Sequence, residues 1–129
     1  MLKFSWLTFW REGIIVSEKL VAYKDLSADA QKEARLAFMN FYIRQLRSDN
    51  LEVVSAKAND EDMANINHLL EENNYLTIDK LVELAERMVP SQFDAVLNSL
   101  DMQYQSDGTT SSSWNSWMNK IHQGLPVED

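Results

Sequence analysis

Cysteine is absent from the 129 residues. This rules out disulfides, thiolate metal sites, iron–sulfur ligation and cysteine nucleophiles, and fits a reducing, cytoplasmic setting. Glycine (3) and proline (2) are scarce, whereas an all-β sandwich needs turn signals about every 8–12 residues. The glycines (Gly13, Gly108 and Gly124) are isolated, so neither GxGxxG nor the GxxxxGK(S/T) phosphate loop occurs. Long apolar runs are missing too. The most apolar stretch, at the N-terminus, breaks at Arg11-Glu12-Gly13, well short of the roughly 20 residues a membrane span needs. It also lacks the small-residue cleavage signature of a secretory signal.

Positive charge is scarce in one half only. Net charge is −8. Residues 1–47 hold eight Lys/Arg against five acids, and residues 48–129 hold four against fifteen. An acidic surface supports solubility, and a one-signed face can also steer a partner.

Helical signals dominate what is present. Residues 27–48 are rich in helix formers, with Ser27 as N-cap and Asp29 in the first turn. Two apolar stripes share this helix, one of Ala30, Ala34, Ala37, Phe38 and Phe41, the other of Leu36, Met39, Ile43 and Leu46. Such a helix is either the centre of a bundle or offers one stripe to a partner.

Asn59 or Asp60 caps a helix running to about Glu72, with Met63, Ile66 and Leu70 inward. Thr77 caps another over 78–89, with Ile78, Leu81, Val82, Ala85 and Met88 inward. Ser91 is read as the cap of a further helix, with Asp94 completing a capping box. Residues 51–58 are ambiguous. Residues 105–113 read as a flexible loop by composition. A last helix spans about 113–122, with Trp114, Trp117, Met118 and Ile121 on one side. Residues 2–24 are read as helix, with a short β-hairpin over 2–16 as the alternative. The expected fold is therefore all-α: a single-domain bundle of five to six helices over 1–125, with a loose tail at 126–129.

Catalytic and metal signatures are missing. No HExxH, EF-hand loop or paired Glu-x-x-His occurs. His68 and His122 are the two histidines; His68 and Glu72 share a stripe, which reads as a solvated polar face. No cofactor, metal or catalytic residue is expected, and the chain is read as non-enzymatic. Residues 76–92 superficially resemble a helix-turn-helix. The would-be reading helix carries Asp94 and Asp101 and no Lys or Arg, which suits DNA poorly. A small ligand held between helices is a further alternative.

The expected function is protein–protein interaction, as an adaptor, assembly factor or inhibitor, with another protein or a second copy as partner and neither nucleic acid nor membrane favoured. The expected contact residues are Trp6, Trp10, Leu36, Met39, Ile43 and Leu46, with Lys32 and Arg35 orienting the partner through carboxylates. A second candidate surface is the acidic face of Asp60, Glu61, Glu71, Glu72, Asp79, Glu83 and Glu86, which could imitate a nucleic acid.

Overall fold

The structure, a computed structural model, describes residues 19–124, with side chains through Ile121. The readings that fall on 1–18 (the helix-or-hairpin alternative, Trp6 and Trp10) and on the tail 126–129 lie outside the described residues. Those described form a helical bundle with no sheet.

After one 3-10 turn, Tyr23–Asp25, come α1 (Ala28–Arg47), α2 (Glu52–Ser55), α3 (Asp60–Glu72), α4 (Ile78–Met88), α5 (Pro90–Ser99) and α6 (Trp114–Gly124). Local chemistry explains most of these boundaries. Ser27 Oγ accepts from Ala30 N–H at 3.2 Å and starts α1. Asp29 lies in its first turn and Arg44 and Arg47 in its last, matching the helix dipole. The helix closes in a Schellman motif: Asp49 takes a left-handed φ of 55°, Asn50 N–H reaches Gln45 O and Asp49 N–H reaches Leu46 O. Asn59 Oδ1 accepts from Glu61 and Asp62 N–H to start α3, and Thr77 Oγ1 accepts from Lys80 N–H to start α4.

α1 is the central helix, and both of its stripes are used. Phe38, Phe41 and Tyr42 pack with Phe93 of α5 and with Trp114, which itself meets Trp117 of α6 edge to face at 5.3 Å. Met39 and Ile43 are completely buried as well. Trp114 and Trp117 thus belong to the core. Tyr42 donates to Asn67 Oδ1 at 2.7 Å and ties α1 to α3. Burial, reinforced by the charge of Glu71, holds this phenol well above its ordinary range and keeps it a donor.

Three local expectations are corrected, and one ambiguity is resolved. Met88 is not inward but 57% exposed, because α4 ends there and the next residue starts the turn into α5. Ala37 is exposed rather than packed. Ser91 does not cap α5: Pro90, its φ already helical, takes the first position with Val89 before it. Asp94 is consequently free to bond elsewhere. The ambiguous stretch 51–58 contains the single turn of α2, whose Val53 and Val54 are buried.

Residues 105–113, expected as a flexible loop, form a hydrogen-bonded turn. Val21 and Tyr104 exchange two N–H···O bonds of 2.8 Å, Gln105 N–H reaches Thr109 O, and Ser111 N–H reaches Gln103 O. Gly108 makes this packing possible. Its φ is +94°, and a Cβ there would stand 2.4 Å from the carbonyl oxygen of Ala30.

Candidate docking cleft

The polar groups of α1 divide between its two ends. Near the N-terminal end, Arg35 lies almost flat in the packing, its side chain 12% exposed. It forms a two-pronged pair with Glu86 (Nε–Oε1 2.7 Å, Nη2–Oε2 2.6 Å) and a third contact with Asp94 Oδ1 at 3.1 Å. Tyr23 donates to the same Asp94 oxygen at 2.5 Å, and Gln31 Nε2 donates to Tyr23 O. The Glu86 carboxylate, first, holds the guanidinium even more firmly charged than usual; burial, first, and then the bond to Asp94 push the Tyr23 phenol upward. Every member of this cluster is a partner of another. It clamps the 3-10 turn, α1, α4 and α5 together.

Near the C-terminal end, α1, α3 and α4 diverge around an open cleft of about 490 Å³, lined by Ile43, Leu46, Arg47, Leu70, Glu71, Asn74 and Leu81. That volume falls within the roughly 300–1,000 Å³ of ligand-holding clefts. Ile43, Leu70 and Leu81 are buried and form its floor; Leu46 is half-buried, and Arg47, Glu71 and Asn74 are exposed along its rim. Arg47 pairs with no acid among the described residues. Its Nη2 donates to the carbonyls of Asn74, at 3.3 Å, and of Leu76. Asn73 Nδ2 donates to Leu69 O, and Leu76 N–H reaches Asn73 O. The α3–α4 loop is therefore pinned on both sides of Tyr75, whose side chain is 78% exposed.

The expected contact residues separate accordingly. Met39 and Ile43 are core, because a central helix has both stripes covered; Met39 is absent from the cleft, and Ile43 reaches it only as part of its buried floor. Leu36 is half-buried against that core, and Leu46 lines the cleft. Lys32 is exposed, whereas the charge of Arg35 is fully engaged inside the fold. Of the acidic face, Asp60, Glu61, Glu71, Glu72, Asp79 and Glu83 are exposed, and Glu86 is taken by Arg35.

Tyr75 and Asn74 escaped the periodicity of the sequence, since loop residues carry none, and Arg47, in the last turn of α1, lies on neither apolar stripe. One signal was legible: Glu71 and Glu72 end α3 with no basic residue in its last turn, against the preference set by the helix dipole.

Among the described residues no three His, Asp or Glu side chains converge to hold a metal ion, and no helix is long and apolar enough to cross a membrane. His68 Nε2 meets Glu72 Oε2 at 3.2 Å on an exposed face. α4 and α5 are joined through Val89 alone, tighter than the 3–4-residue turn of a helix-turn-helix. Comparison with protein-family models, curated proteins and solved structures finds none that matches this chain.

Proposed function

We propose that this chain is a non-enzymatic, cytoplasmic protein-binding module, serving as an adaptor, assembly factor or inhibitor, and that it grips its partner at the cleft between α1, α3 and α4. The observation that carries the reading is Tyr75: a large aromatic, 78% exposed, on a loop held by Arg47 and Asn73 at the edge of an apolar-floored cleft. Tyrosine is enriched among residues that dominate binding energy. Presenting it on a pinned loop reduces the ordering cost that binding otherwise incurs. The polar cluster around Arg35 is closed on itself, and the aromatic cluster of α1, α5 and α6 is buried, so neither competes as a contact surface.

The test is capture from a cell lysate with the full chain, run beside Tyr75→Ala and Leu46→Asp. Proteins retained by the wild type and lost by both variants, with circular dichroism of the variants unchanged, are the expected outcome. Identical capture by all three sinks the reading. Tyr75→Ala alone decides the matter if Leu46→Asp fails to fold, because the Tyr75 side chain is largely in solvent.

A further inference from the structure

Asp107 and Gly108 form the chain's single Asp–Gly step. Such a pair is open to a reaction that needs only water. The amide nitrogen of Gly108 attacks Cγ of Asp107. An N–Cγ bond forms, the Cγ–OH bond breaks, and the amide proton leaves with the hydroxyl as water. A second water then opens the ring at the backbone carbonyl of Asp107, which yields isoaspartate with no change in mass. Glycine favours the attack, because no Cβ crowds its nitrogen.

The native turn withholds each requirement. Gly108 N–H is engaged by Gln105 O at 2.9 Å, and Asp107 Oδ1 accepts from Thr109 N–H at 2.9 Å. The Thr109 amide holds the carboxyl below its ordinary range, in the ionised form that offers no leaving hydroxyl. The Gly108 peptide has no room to swing toward the side chain, since even a Cβ on it would stand 2.4 Å from the carbonyl oxygen of Ala30. Asp107 itself is exposed, so access of water does not limit the reaction; the bonds and seating of the turn do.

We propose that Asp107 is a fold-gated modification site: isoaspartate forms there when the turn over 105–110 lifts from α1, and, once formed, it keeps the turn from returning. The modified backbone runs through Cβ and Cγ of Asp107 and is one atom longer. The turn is closed by Gly108 N–H on Gln105 O and by Gln105 N–H on Thr109 O, with Gly108 set against Ala30. An added backbone atom has no space there without breaking one of these contacts. A transient local opening is thereby converted into a lasting one.

The experiment ages the full chain in native buffer and in urea, at one pH and temperature, and assigns isoaspartate to Asp107 by electron-transfer mass spectrometry. Formation is expected to be at least about tenfold slower in native buffer. Equal rates in the two solutions overturn the gate. Asp107→Asn separates the turn from the charge, because the same ring then closes with loss of ammonia from a neutral side chain. Protection of this variant in native buffer supports gating by the turn; its loss means that ionisation alone set the rate, and overturns it. The lasting effect is read after dilution from urea. Chains carrying isoaspartate at 107 are expected to be cut severalfold faster within 105–110 and to lose exchange protection at the Tyr104 and Gly108 amides. Modified chains as well protected as unmodified ones overturn the claim that the turn cannot return.

Discussion

Arg35 and Arg47 lie on the same helix and do opposite things with their charge. Arg35 finds Glu86 and Asp94, and Tyr23 donates to the same Asp94 oxygen. Arg47 finds backbone carbonyls and leaves Glu71 uncompensated beside a cleft. The first end of α1 is closed both electrostatically and sterically, since the turn at Gly108 also sits directly against Ala30. The second end is held in shape but open in chemistry. Substitutions at the closed end should therefore act on stability, and substitutions at the open end on recognition.

The sharpest way to break the closed end is Gly108→Ala. The new Cβ meets a backbone carbonyl at 2.4 Å that no side-chain rotation can move aside, and alanine is strained at φ +94° besides. Backbone strain of about 1–3 kcal/mol and overpacking of similar size act together, so a loss of about 3–5 kcal/mol is expected in urea unfolding. A loss below about 1 kcal/mol would mean the turn is not seated on α1. Arg35→Met should cost less, about 2–3 kcal/mol. It leaves Glu86 and Asp94 without their cation, but these carboxylates retain 23% and 39% exposure, so the penalty falls below that of a fully buried pair. Binding through the cleft should survive both substitutions at temperatures where the variants remain folded.

Tyr42 connects the two ends of the comparison, being buried beside Phe38 yet close enough to Glu71 to feel its charge. Its phenol is raised above the ordinary value of 10.0. The stabilisation from keeping it neutral is therefore fully present below about pH 10 and is lost as pH climbs toward the folded value. The slope is at most about 1.4 kcal/mol per pH unit. Unfolding midpoints measured between pH 9 and pH 11 should fall more steeply for the wild type than for Tyr42→Phe. Parallel curves would mean that this hydroxyl reaches water.

The difference between the ends also explains what could be read from sequence. α3, and α4 apart from Met88 at its end, were legible because cap residues, period and buried face coincide: Asn59 with Met63, Ile66 and Leu70, and Thr77 with Leu81 and Ala85. The double stripe of α1 correctly marked a central helix, and for that very reason Met39 is wholly inside and Ile43 reaches the cleft only as its buried floor. Ser91 misled because a capping signature is local, whereas Asp94 is claimed by Tyr23 and Arg35 from far along the chain. The turn at 105–113 looked loose because its composition is polar; its order comes from strand-like bonds to Val21 and from the approach to Ala30, neither of which composition records. Of the cleft, the sequence named Ile43, Leu46 and Glu71, but on two separate candidate surfaces and not as one site. Its floor is assembled from three helices, and Tyr75 stands in the loop that also supplies Asn74 to its rim.

The smallest expected effect is the most discriminating, because it has the opposite sign. Glu71→Gln removes a charge that opposes the dipole of α3 and is paired with nothing among the described residues. Removing an unfavourable terminal charge is worth about 0.3–1 kcal/mol, so the variant should be slightly more stable than the wild type, by a rise in melting temperature or urea midpoint. A purely structural acid would instead lose stability when neutralised. A gain in stability joined to a loss of partner capture would show that the chain gives up folding free energy to keep a carboxylate at the edge of its cleft, the trade-off expected where recognition and not packing selects the residue.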